Sequence, residues 1–244
     1  MQPNTNEKQI KRGIYLLPNL FTTAGLFAGF YSIVAAMQGK FELACITIFI
    51  AMIADGLDGR VARLTNTQSA FGAEYDSLSD MIAFGLAPAL LAYNWALHSL
   101  GKIGWLCAFI YVASTGLRLA RFNTQVETAD KRFFSGLASP AAAGFLTGFI
   151  WVMIEYGVIP TKQLHMITTV LTVVSALLMV SNIKYYSFKV FDFKGHVPFM
   201  VLVLLVLIVV AITIDPAQVL FYTFATYVVT GPVLTWIFRD KKKS

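Results

Sequence analysis

The chain has 244 residues, 57% of them hydrophobic and 13% charged, with a mean hydropathy of +0.67. That balance excludes an ordinary soluble domain and points to a polytopic membrane protein. A formal net charge of +6 would suit a nucleic-acid binder, but no nucleic-acid module is recognisable. The positive charges instead flank apolar runs, where anionic lipid headgroups attract them.

A hydrocarbon core of roughly 30 Å takes about 20 apolar residues in helix. On that measure eight spans are predicted, approximately at residues 14-37, 41-62, 73-97, 103-121, 138-157, 163-182, 197-214 and 217-238. The first is read as a span rather than a signal peptide, because it is long, contains Pro18 and Asn19, and lacks a small-residue cleavage site. The connections are too short to hold another domain. The expectation is therefore an all-α polytopic helix bundle forming one domain over 14-238, with a polar lead-in at 1-13 and a basic tail at 239-244. Eight spans leave 16 of the 19 basic residues on the side of both termini and only Lys40, Lys102 and Lys162 opposite. By the positive-inside rule, both termini then face the cytoplasm. Cys45 and Cys107 lie inside apolar runs without metal-ligand spacing and read as packing residues. Small residues such as Gly25, Gly29 and the SPAAAG stretch at 139-144 read as helix-crossing points.

The second and third spans carry the chemistry. Asp55 and Asp58 stand three apart on one helix, and Asp76 and Asp80 four apart on the next. Each pair shares a helix face, and a short turn lets the two faces meet at the cytoplasmic boundary. Carboxylates near membrane depth cost on the order of 3 kcal/mol each and repel one another, so something must neutralise them. Hard divalent cations take oxygen ligands, and two such ions sharing four carboxylates could clamp a pyrophosphate during an in-line displacement. Gly59 and Ala62 remove bulk beside the aspartates, and Arg63 offers a cation to a phosphate.

Asp55, Asp58, Gly59, Ala62, Arg63, Gly72, Asp76 and Asp80 fit every fixed position of D-x-x-D-G-x-x-A-R-x(8)-G-x-x-x-D-x-x-x-D, and the chain so resembles the CDP-alcohol phosphotransferase family. The resemblance implies attack by an alcohol on the β-phosphorus of a CDP-linked lipid, CDP-diacylglycerol, with release of CMP. It implies Asp55, Asp58 and Asp76 as metal ligands, with Asp80 as both ligand and general base, around two divalent ions, Mg2+ or Mn2+. It also implies that Asp55, Gly59, Ala62, Arg63 and Ser69 contact the CDP-lipid, with Asn19 and Thr22 nearby. Members of this family often form homodimers, and the implied location is the bacterial inner (cytoplasmic) membrane with the site facing the cytoplasm.

The acceptor is read from other stretches. GLRLARFNT at 116-124, KRFFSGLASPAAAG at 131-144 and SNIKYYSFK at 181-189 resemble span ends and loops of serine-accepting members, with Ala138 where proline is expected. Serine carries a carboxylate, and Arg118, Arg121, Lys131, Arg132 and Lys184 offer cations on the correct side, with Arg118 and Arg121 favoured at i and i+3 on a helix end. Glycerol 3-phosphate, choline or inositol phosphate are the alternative acceptors, and the Tyr185-Tyr186 pair would suit a quaternary ammonium. A carboxylate-lined cation transporter is the reading from another class; its carboxylates would lie near midplane. His98, His165 and His196 are not placed to join the aspartates.

Overall fold

The fold was obtained as a computed structural model, which describes residues 5–65, 67–125, 133–186 and 199–240. Helix α1 (Thr5–Met37) starts inside the segment expected as a lead-in and continues through Pro18. Gly39, at φ 74°, supplies the left-handed residue of the turn into α2 (Phe41–Leu64). The two helices form a close antiparallel pair because their facing residues are small: Ala28, Ala35, Ala36, Ala44, Cys45 and Ala51 are all buried. The Ser32 hydroxyl donates across the pair to the Ala44 carbonyl at 2.8 Å. Cys45 and Cys107 are buried free thiols, in keeping with a packing role.

The run expected as one span at 73-97 is a composite rod. Helix α3 (Ala70–Asp80) passes into a π-helical segment, Met81–Leu86, then α4 (Ala87–Trp95) and a 3-10 turn, Leu97–Leu100. Pro88, at the start of α4, has no N–H for the ladder, and the widened turn lies immediately before it. This segment also meets α1 at its tightest point. A Cβ on Gly29 would lie 2.6 Å from the Ala83 Cα, so only glycine fits there.

Helices α5 (Lys102–Gln125), α6 (Ser139–Glu155) and α7 (Lys162–Val180) complete the interior. Helices α8 (Phe199–Ile214) and α9 (Pro216–Asp240) follow, and α9 lies along α6. Gly144 and Gly148 of α6 leave room for Phe224 and Phe221 of α9. Among the described residues, three helices are long and apolar enough to cross a membrane, over Pro18–Met37, Lys102–Thr124 and Lys162–Val180, and Ser139–Glu155 is a shorter apolar helix.

One feature departs from a purely helical expectation. Strands β1 (Phe133–Ser135) and β2 (Lys184–Tyr186) pair antiparallel, with Ser135 opposite Lys184. Gly136, at φ 85°, donates its N–H to the Ile183 carbonyl at 2.8 Å, and Leu137 donates to the Leu178 carbonyl at 3.0 Å. A side chain on Gly136 would collide with the Met179 carbonyl. Tyr185, fully buried, donates to the Val228 carbonyl of α9 at 3.2 Å. This clasp ties the start of α6 to the end of α7 and to α9.

Candidate active site

Helix α2 contributes Asp55 and Asp58, and α3 contributes Asp76 and Asp80. The connection between them is short: the Thr65 hydroxyl donates to the Val61 carbonyl at 2.7 Å, the Thr67 N–H donates to the Ala62 carbonyl at 3.1 Å, and Ser69 caps α3. The Ser69 Oγ accepts from the Gly72 N–H at 3.0 Å. A Cβ on Gly72 would lie 3.2 Å from that Oγ and 3.6 Å from the Asn19 Oδ1, so glycine keeps the capped turn close to α1.

All four aspartates line one small, tightly closed pocket, together with Thr22, Gly25, Ser79 and Phe84. Carboxylate oxygens of Asp55, Asp76 and Asp80 lie within 4.8 Å of one another. Asp58 stands apart from that trio: it is 5% exposed, and its Oδ2 accepts a 2.9 Å hydrogen bond from Thr22. Thr22 is itself fixed, since its carbonyl accepts from the Ser79 Oγ at 3.1 Å. Ser79 lies between Asp76 and Asp80, so one bond connects the α3 carboxylates to the residue that holds Asp58. Oxygens around one Mg2+, at about 2.1 Å from the ion, are at most about 4.2 Å apart. An all-oxygen trio within 4.8 Å therefore fits a hard divalent cation after a small closure.

A second, outer cleft of about 230 Å³ opens beside the carboxylates and shares Thr22, Asp58 and Asp76 with the inner pocket. It brings together Asn19, Thr22, Gly59, Ala62, Arg63 and Ser69, six residues singled out from the sequence for CDP-lipid contact; Asp55, the seventh, lines the inner pocket. A Cβ on Gly59 would touch nothing closer than Arg63 Nη1 at 3.9 Å, so the cleft runs along bare backbone. Pro18, Thr67, Gln68 and Ala73 complete the cleft and were missed; the turn residues Thr67 and Gln68 could have been included by their position between the aspartate pairs.

The two favoured arginines diverge. Arg118 donates from Nη1 to the Ser139 Oγ at 2.6 Å and lies within electrostatic range of Asp80 and Asp55. Arg121 donates to the carbonyls of Val180 at 3.1 Å and Ser181 at 3.2 Å, and to the Asn182 Oδ1 at 3.4 Å. It caps the C-terminus of α7 rather than facing the carboxylates. Lys184 is exposed on β2, and Lys131 and Arg132 lie outside the described residues, as does His196. Tyr185 cannot form one wall of an aromatic cage, because its ring is buried against Gly231 and lies 5.5 Å from the Tyr227 ring. His165 bonds Ser99 at 2.8 Å, at the end of the bundle away from the aspartates.

A helical bundle holding an oxygen-rich pocket beside an open cleft, with this spacing of aspartates, defines a class. The sequence profile of the CDP-alcohol phosphatidyltransferase family matches residues 15–236, and the chain belongs to that family. Its relatives include a protein of Helicobacter pylori named CDP-diacylglycerol–serine O-phosphatidyltransferase, 40% identical over 227 residues, which cover 92% of each chain. Proteins of the same name from Methanocaldococcus jannaschii and Bacillus subtilis are 37% and 34% identical. The first alignment covers 74% of this chain and 79% of the relative, the second 71% and 91%.

Proposed function

We propose that the chain transfers a phosphatidyl group from CDP-diacylglycerol to the hydroxyl of L-serine, giving phosphatidylserine and CMP. The observation that carries this reading is the outer cleft meeting the carboxylate pocket at Asp58 and Asp76. A nucleotide seated along Gly59 and Arg63 would thereby deliver its diphosphate to the aspartates. Family membership and the names borne by the relatives support the same donor and acceptor.

Asp55, Asp76 and Asp80 would hold a divalent cation, Mg2+ or Mn2+, with Asp58 completing the set for a second. Bound cations neutralise the diphosphate and stabilise charge on the leaving CMP. The chain's own residues do the rest. Arg63 draws a phosphate oxygen, bare backbone at Gly59 admits the nucleotide, and Asn19 and Ser69 lie on the cleft wall to fix it. Asp80 takes the proton of the serine hydroxyl as its oxygen bonds to the β-phosphorus, while the bond from that phosphorus to the CMP oxygen breaks. Arg118, within electrostatic range of Asp80, meets the serine carboxylate.

The eight-span arrangement, with both termini and the site on the cytoplasmic face of the inner membrane, belongs to the same proposal. So does a single catalytic domain over 14-238. The one-sided clustering of the aspartates and the 16 to 3 charge division support it. Purified protein should release CMP from CDP-diacylglycerol with Mg2+ or Mn2+ when serine is added, and much more slowly with glycerol 3-phosphate, choline or inositol phosphate. Turnover of equal rate with one of those alcohols, or none with serine, would overturn the acceptor assignment.

A further inference from the structure

The Arg118 guanidinium has five N–H donors, and among the described residues its one hydrogen bond goes to the Ser139 Oγ, 2.6 Å from Nη1. Ser139 is fully buried, although a serine at that depth has no packing advantage over alanine. Its placement is over-determined. It opens α6 directly after extended Ala138 and before Pro140, and the N–H groups of Gly136 and Leu137 are anchored on Ile183 and Leu178. The hydroxyl is thus held by the β1–β2 clasp, and the arginine it meets lies within electrostatic range of Asp80 and Asp55.

We propose that Ser139 is a positioning residue for the acceptor: it anchors one edge of the Arg118 guanidinium so that the remaining donors meet the carboxylate of the amino-acid acceptor beside Asp80. This rests on the reading of serine as acceptor. Without the hydroxyl, Arg118 is free to swing toward the aspartates, where opposite charge draws it, and the fork that a carboxylate needs is lost. The outer cleft along α1, α2 and α3, where the donor is read to bind, is lined by neither Arg118 nor Ser139.

Steady-state kinetics of S139A in lipid nanodiscs tests this. The KM for serine should rise about tenfold, the loss expected for one hydrogen bond to a charged group, with the KM for CDP-diacylglycerol and the Mn2+ requirement within about twofold of wild type. S139T, which restores the hydroxyl, should recover most of the serine affinity. In an R118A background, S139A should change the serine KM no further, because the two act as one unit. If S139A fails to fold, Ser139→Cys, nearly isosteric with a weaker acceptor, gives the same sign. Parallel increases in both KM values, or an undiminished effect in the R118A background, would make Ser139 a packing residue and overturn the proposal. Failure of the acceptor reading appears separately, as wild-type protein that does not use serine.

Discussion

The Thr22 hydroxyl donates to the Asp58 carboxylate at 2.9 Å, joining α1 to the one aspartate that stands outside the close trio. Thr22 and Asp58 are 4% and 5% exposed, so no bulk water replaces that bond if it is lost. T22V, which keeps the shape, should weaken Mn2+ activation about tenfold, and T22S should stay close to wild type. A Mn2+ titration of CMP release measures both, and an unchanged midpoint in T22V would show that Asp58 needs no such support.

Clustered carboxylates repel until a cation joins them, so ligand binding should stabilise the fold by mass action. Adding Mg2+ or Mn2+ should raise the melting temperature of the purified protein and EDTA should reverse the gain. In D55N, D76N and D80N the gain should shrink. D80N should also turn over at least about a hundredfold more slowly at saturating metal, the contribution of a general base. Near-normal turnover of metal-loaded D80N would place the base elsewhere.

Arg118 and Arg121 should separate by phenotype. R121A removes three hydrogen bonds from the end of α7 and should cost about 1–3 kcal/mol of stability, lowering the melting temperature with little change in serine KM. R118A should do the reverse. Thermal melts alongside acceptor kinetics decide it, and matching effects in both variants would remove the distinction.

Glycine substitutions on α1 and α2 should differ in the same assay. G29V places atoms where the Ala83 Cα stands 2.6 Å from the nearest added carbon, and it should destabilise by at least about 1–3 kcal/mol. A Cβ on Gly56 would meet nothing within 4 Å, so G56A should be tolerated and gain a few tenths of a kcal/mol or more in helix propensity. A stable G29V protein would mean that α1 and the π-helical segment can part without loss.

The aspartate site was legible because its information is local. Spacings of three and four residues fix a helix face without knowledge of any partner, and the short turn forces the faces together. Helix positions were legible for a similar reason, since apolar run length dictates them. The π-helical segment was not: Pro88 marks a break in the ladder, but apolar run length does not show that the turns before it widen, nor that Ala83 there meets Gly29 across more than fifty positions of sequence. Nor was the strand pair, whose partners lie on either side of α6 and α7. Arg118 and Arg121 looked equivalent at i and i+3. Three residues advance about 300° around a helix, leaving the two side chains about 60° apart, and that is enough to send one to Ser139 of α6 and the other to the end of α7.

The clasp also sets an order in time. All four aspartates lie in the first 80 residues, whereas Ser135 finds its strand partner at Lys184 and the Tyr185 hydroxyl finds its acceptor at the Val228 carbonyl of α9. At a synthesis rate of about 5–20 residues per second, roughly seven to thirty seconds separate the emergence of Asp80 from that of α9. A nascent chain thus carries its acidic centre well before α9 can lock the clasp that holds the start of α6.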